Sequence, residues 1–336
     1  MVSVEWLSEI LGAEVVSFET TSIGTGQMAV SERLTLTYAE GAAGPGAVVL
    51  KRPSDDVRSR MASMATGSYR NEAVFYRDLA STLLVRAPGC LYVEYDDQTD
   101  EFRLLLEDLA PARQGDQITG CSVEEAVIAV EHLPLLHGPR WGDPSLRQLD
   151  WLARTNAEGT ANTAAFLLGF LDPWAERYDG RVDDGIVDLA RRALPAMPDA
   201  ILADPSSWTV QHGDYRLDNL LFGTPEGGPP IAVVDWQTVV LGPGIADLSY
   251  FIGAGLPTDL RRAHEEDLVR RYQAGMAAQG VDLEWDDLWH QYRQFTTAGL
   301  AMAIGASMLV EQTERGDEMF MAMANRHGQH ALDLLP

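Results

Sequence analysis

Lysine is nearly absent from this chain: Lys51 is the single one among 336 residues, and of 25 basic side chains the other 24 are therefore arginine. Basic charge as a whole is scarce. Against those 25 stand 50 acidic residues, a formal charge of −25, which argues against nucleic acid and anionic membrane as partners, since both call for basic patches. Cysteine is limited to Cys90 and Cys121, with no CxxC and no Cys/His cluster, so neither a disulfide framework nor a structural zinc is expected. The charge-free stretch 295–310 has 16 residues, short of the roughly 20 a membrane span needs, and Thr296, Thr297 and Ser307 dilute it, so it reads as a buried helix. The opening segment MVSVEWLSEIL lacks a basic region and a long apolar core; it reads as a short amphipathic helix, and a cytoplasmic location is expected. No Gly-Lys-Ser/Thr occurs, which removes a Walker-type phosphate loop.

What the chain does carry is concentrated between 210 and 235, VQHGDYRLDNLLFGTPEGGPPIAVVD. Two short apolar runs, NLLFG at 219–223 and IAVVD at 231–235, flank a cluster of turn residues, which predicts a hairpin centred near Gly227. Paired without a bulge, such strands would bring Asn219 opposite Asp235, an oxygen pair of the kind that holds magnesium together with waters and substrate phosphates. Asp214 lies five residues before Asn219 in the polar lead-in, where a carboxylate can accept the proton of an attacking hydroxyl.

An Asp base, an Asn on metal five residues later and a second metal-binding Asp beyond are the parts of a kinase catalytic loop. Here the tripeptide is His212-Gly213-Asp214, and Asp235 is followed by Trp236-Gln237. In both respects the chain resembles the aminoglycoside phosphotransferase and choline kinase group of small-molecule kinases. The strings HGDYRLDN and VVDWQTVVLGPGIADLSYFI are closest to the bacterial ecdysteroid kinase-like branch. The resemblance implies ATP and Mg2+ as cofactors, with Asn219 and Asp235 on the metal and Asp214 as base. Arg216, two residues past Asp214, stands where many protein kinases have a lysine near the transferred phosphate; a salt bridge within the loop is the other reading. Asp247, 12 residues past Asp235, stands where kinase-like folds use a carboxylate to accept hydrogen bonds from the catalytic-loop backbone.

The lone Lys51 ends the apolar run AVVLK, which reads as a strand; a compact ammonium in a chain that otherwise uses arginine suits a specific task. Kinases set a strand lysine against the α and β phosphates and pair it with a helix glutamate. Glu72 is the candidate partner, in the segment 69–79 where Ala73, Tyr76 and Ala80 recur at helical spacing. Before that strand, Thr21-Ser-Ile-Gly-Thr-Gly-Gln27 offers Gly24 and Gly26 as a turn whose backbone amides could cover phosphates. The run FRLLLEDL at 102–109 corresponds, in the family resembled, to the connection between lobes, which makes main-chain groups of Glu107 and Leu109 candidates for the nucleotide base.

The expected architecture is α+β, a two-lobed protein-kinase-like fold. A small β-sheet N-lobe with one main helix (1–108) binds nucleotide, and a larger, mostly helical C-lobe (109–336) carries catalysis and substrate. Helices are predicted over 122–136, opened by a Ser122/Glu125 capping box, and over 151–171, 183–194, 259–279 and 285–308. Met319, Met321 and Met323 read as packing, and His137 as a structural histidine. Gly115-Asp-Gln117 also matches the branch but yields no chemistry from sequence. By resemblance, 282–287 and 311–318 are candidates for the acceptor site. The substrate class is a hydroxylated small molecule; the acidic surplus suits either a cationic acceptor or mere solubility. A nucleotide-binding pseudokinase or scaffold without turnover is the alternative. A protein kinase is disfavoured because no Ala-Pro-Glu follows Asp235. Oligomeric state is not legible.

Overall fold

The computed structural model describes residues 2–24, 28–154, 156–197 and 207–335. Gly26 lies outside the described residues. Contacts divide the chain into two units, each described by itself. The first is Met1–Ser81, Arg86–Arg113 and Gly223–Thr238, and the second is Thr82–Val85, Gln114–Phe222 and Val239–Pro336.

In the first unit, α1 (Val4–Leu11) is capped by Ser3, whose side chain accepts the Trp6 N–H. Strands β1 (Val15–Ile23), β2 (Ala29–Tyr38), β3 (Ala47–Pro53), β4 (Cys90–Asp96) and β5 (Glu101–Glu107) form one antiparallel sheet in the order β1-β2-β3-β5-β4. One face packs Leu34, Leu36, Val48 and Leu50 against Leu7 of α1. Because strand side chains alternate, Lys51 is turned to the face opposite Leu50, with Ser31 and Leu104 as its cross-strand neighbours.

Two further helices follow β3. The first, α2 (Val57–Thr66), is capped by Asp56, and it leaves Val57, Met61 and Met64 between 64% and 67% exposed, so its sequence carries no core-facing stripe to read. The second, α3 (Ser68–Val74), continues as a π turn over Phe75–Leu79 and buries Tyr69, Glu72 and Ala73.

A two-residue strand β6 (Arg113–Gln114) precedes the helical part of the chain. The second unit opens on α4 (Val123–His137), whose Ser122/Glu125 capping box forms as expected. Next come α5 (Ala157–Arg177), capped by Asn156 rather than starting at 151, and α6 (Ile186–Ala193). Strand β7 (Trp208–Gln211) pairs with β10 (Val240–Pro243) and leads into β8 (Leu220–Thr224); from Gly223 the chain belongs to the first unit and turns through Pro225 and Glu226 into β9 (Gly227–Val233). The hairpin turn is thus a little earlier than Gly227, and Asn219 and Asp235 lie just outside its two strands.

The remaining helices are α7 (Ile245–Gly255), α8 (Thr258–Ala278), α9 (Trp285–Gln294), α10 (Ala298–Leu309) and α11 (Glu314–Leu334). The single helix expected over 285–308 breaks at 295–297. There the Thr296 hydroxyl donates to the Arg293 carbonyl at 2.8 Å, a local bond that competes with helix continuation. Leu171, Trp174, Ile186, Ile304 and the three methionines Met319, Met321 and Met323 share one core. No helix among the described residues is long and apolar enough to cross a membrane.

Candidate active site

In the first unit, Lys51, Glu72 and Asp235 come together. Lys51 Nζ lies 2.8 Å from Glu72 Oε1 and 2.7 Å from Oε2, and 2.8 Å from Asp235 Oδ1. Burial works against the ammonium, but Asp235 and Glu72 outweigh it and hold the Lys51 pKa above its ordinary value. Glu72 is shifted upward as well: burial dominates over the pull of Lys51, and Asp235 adds repulsion. Two carboxylates thus share one ammonium. Gln237 supports the cluster by donating from Nε2 to Glu72 Oε2 at 3.4 Å, while its carbonyl accepts from Asn71 Nδ2 at 3.2 Å. Trp236 stacks on Phe75 with ring centroids 3.9 Å apart, which ties the segment after β9 to the helix that carries Glu72. Asp235 has φ of +66°, a left-handed conformation rare outside glycine, and such strain collects where function fixes a side chain.

Gly24 follows β1 with φ of +77° and open space where a Cβ would stand. At the end of β5 the Glu107 carboxylate is engaged: Arg86 Nη2 donates to both oxygens at 2.6 and 2.8 Å, and the Gly89 N–H donates to Oε2 at 2.9 Å. These donors outweigh partial burial and lower the Glu107 pKa. The Glu107 N–H is engaged as well, donating to the Gly89 carbonyl at 2.8 Å. Leu109 is buried.

In the second unit, the segment after β7 gathers Asp214, Arg216 and Asn219. Gly213 takes φ of +79°, which turns the chain sharply. The Asp214 Oδ2 accepts from Arg216 Nε at 3.0 Å and from Asn219 Nδ2 at 2.9 Å, while Oδ1 accepts the Tyr250 hydroxyl at 2.7 Å. Asn219 Nδ2 also donates to the Asp214 carbonyl at 2.9 Å. Arg216 continues to Asp218 Oδ2 at 2.9 Å and to Met319 Sδ at 3.0 Å. The salt bridge inside the loop therefore exists. Burial opposes the Arg216 charge, but the carboxylates of Asp214 and Asp218 raise its pKa further.

The loop backbone is held from behind. Asp247 on α7 accepts the His212 N–H and the Gly213 N–H, and its Oδ2 lies 3.3 Å from His137 Nε2. His137, fully buried, reaches the Tyr272 hydroxyl through Nδ1 at 2.9 Å, a structural role. Gln117 clamps the other side: its N–H donates to Asp218 Oδ1 at 3.0 Å, its Oε1 accepts the Leu217 N–H at 3.0 Å, and its Nε2 donates to the Ala254 carbonyl at 2.9 Å. Gly115 has no room for a side chain, because a Cβ there would stand 2.6 Å from the Leu217 carbonyl oxygen. The Gly-Asp-Gln motif is thus a brace for the loop. Of the two stretches expected by resemblance near an acceptor, 311–318 reaches this region through Arg315, 3.8 Å from Asp218 and 3.7 Å from Asp116. The stretch 282–287 instead opens α9, where Trp285 stacks on Trp289.

Sequence reasoning missed Tyr250, Asp218 and Gln237. Tyr250 stands three residues after Asp247, on the same face of a helix, and that spacing was the available signal.

Residues 31–293 match the phosphotransferase enzyme family, and the chain belongs to it. Among solved structures, it is similar to a choline kinase from Cryptosporidium parvum Iowa II at 11% identity, covering 94% of this chain and 88% of that one, with a TM-score of 0.58. It is also similar to aminoglycoside 2′-phosphotransferase-IIIa in its GDP complex, at 13% identity over 93% of each chain and a TM-score of 0.56. At these identities the likeness is one of fold, and the fold is kinase-like. A mouse protein, acyl-CoA dehydrogenase family member 10, is 39% identical over 124 residues, 35% of this chain and 11% of the relative. The chain thus spans about a tenth of the length of that curated relative.

Proposed function

We propose that this chain moves the γ-phosphoryl group of ATP to a hydroxyl of a small molecule. The observation that carries the reading is the Asp214 carboxylate, oriented by Arg216, Asn219 and Tyr250 in a loop whose backbone Asp247 holds. In the proposed reaction the acceptor oxygen forms a bond to the γ phosphorus as its proton passes to Asp214. The bond between the γ phosphorus and the β–γ bridging oxygen breaks, and ADP leaves with that electron pair. Lys51, kept charged by its two carboxylates, orients the phosphates. Gly24 and Gly26 contribute backbone amides to them, Arg216 helps balance charge near the transferred group, and main-chain groups of Glu107 and Leu109 receive the base.

Magnesium fits the donor set. Among the described residues no three His, Cys, Asp or Glu side chains gather as a metal site, so a bound ion would rest on a mixed set completed by phosphate and water. Asn219 spends its Nδ2 on Asp214, which leaves its amide oxygen as the ligating atom, and Asp235 presents a carboxylate with 32% of its side chain exposed. When bound, magnesium neutralises charge on the phosphate oxygens.

The structures this fold resembles are named for aminoglycoside and choline, and the formal charge of −25 suits a cationic acceptor as well as mere solubility. The test is Asp214→Asn. General-base catalysis contributes roughly 10² to 10⁴ in rate, so turnover should fall by about that range while the thermal shift with Mg-ATP persists. Unimpaired turnover removes Asp214 from the base role.

A further inference from the structure

Tyr250 donates to one specific oxygen of Asp214. The Oδ2 atom already accepts two donors, Arg216 Nε at 3.0 Å and Asn219 Nδ2 at 2.9 Å, and a carboxylate oxygen offers about two acceptor positions. Among the described residues the Oδ1 atom accepts one, the Tyr250 hydroxyl at 2.7 Å. Tyr250 sits on α7 three residues beyond Asp247, so one helix holds both the loop backbone and the carboxylate it presents. Its ring is 6% exposed and lies against the His327 ring at 5.2 Å, which fixes its direction.

We infer that Asp214 Oδ1 is the atom that takes the acceptor's proton, and that Tyr250 is the positioning residue that leaves a single lone pair of that oxygen facing the acceptor. The inference rests on the proposed phosphoryl transfer. In the step, the acceptor O–H bond breaks, its proton bonds to Oδ1, and the acceptor oxygen bonds to phosphorus as ADP departs. Tyr250 keeps its own proton throughout: burial, and then the charge of Asp214, hold its pKa far above the ordinary tyrosine value. It therefore acts as a fixed donor and not as a relay.

The experiment is Tyr250→Phe, which removes the hydroxyl and keeps the ring. Full-length protein is assayed for ADP release from Mg-ATP with water as the acceptor, beside wild type, Asp214→Asn and the double variant. A lost hydrogen bond to a charged group predicts a fall in kcat of about tenfold to a hundredfold, with KM for Mg-ATP unchanged. In the Asp214→Asn background the same substitution should change nothing further, because the two residues act as one unit. Wild type that turns over with Tyr250→Phe equally active, or an effect that persists in full beside Asp214→Asn, overturns the assignment of Tyr250 alone. Wild type that releases no more ADP than Asp214→Asn, with water and with every hydroxylated small molecule screened as acceptor alike, overturns the phosphoryl-transfer reading and this inference with it.

Discussion

The Asp247 carboxylate carries the backbone of His212: its Oδ2 accepts that N–H at 2.7 Å, while Oδ1 takes the next one, from Gly213, at 3.0 Å. The arrangement leaves two loop amides dependent on one buried side chain, 2% exposed. Asp247→Ala should therefore orphan both, at about 1–3 kcal/mol for each unsatisfied group. The expected result is a lower urea midpoint together with loss of turnover. A variant as stable and active as wild type contradicts the bracing role.

Lys51 and Glu72 form a pair whose side chains are 10% and 1% exposed. Breaking a buried pair by removing one partner costs about 3–5 kcal/mol, because the other charge stays behind in a poor environment. Lys51→Met should lose stability on that scale, and Glu72→Gln added to it should restore part of the loss. Chemical denaturation of the two variants checks this; a double variant no more stable than Lys51→Met rules it out.

His327 is buried with neither ring nitrogen hydrogen-bonded among the described residues. Burial first, then the neighbouring His330 and Arg326, hold its pKa down to about 3 from the ordinary 6.5. The unfolded chain thus takes up a proton near 6.5 that the folded one refuses until about 3. Stability is full above the first value and falls as pH drops toward the second, by about 1.4 kcal/mol per pH unit for one such group. His132, held down to about 4 by burial, steepens the same slope. Denaturation midpoints recorded from pH 7 to pH 4 should decline less in His327→Leu than in wild type. An identical slope in the two proteins excludes His327 as a source.

The same ring explains a glycine. A Cβ built on Gly299 would stand 2.0 Å from Cε1 of His327, and one on Gly253 would stand 2.6 Å from its Nδ1. Overpacking of this kind costs about 1–3 kcal/mol. Gly299→Ala should lower the melting temperature, and His327→Ala in the same chain should recover part of it. A neutral Gly299→Ala shows that the helix can move aside.

The parts of the site that were legible in the sequence are those set by short spacing. Asp214 and Asn219 lie five residues apart on one loop, Lys51 is the lone lysine of the chain and lies within a strand, and Glu72 sits on a helix that follows it. Partners that act across the chain left no such trace. Tyr250 meets Asp214 from 36 residues away, Gln117 meets Leu217 from 100, and Gln237 meets Glu72 from 165. The helices followed the same logic. A capping box announced α4, whereas α7 is buried on nearly every side and so shows no polar face to give it period. Arg216 was read two ways, and its contact with Asp218 was invisible because both residues look equally like solvent-facing charge in a polar loop.

The most direct test of the central claim is an ADP-release screen of the full chain with Mg-ATP across hydroxylated small molecules, cationic ones included, followed by mass spectrometry of each hit. The account predicts that at least one acceptor gains a single phosphoryl group and that the transfer is lost in Asp214→Asn. Phosphate appearing on protein instead, or transfer undiminished in that variant, would contradict it.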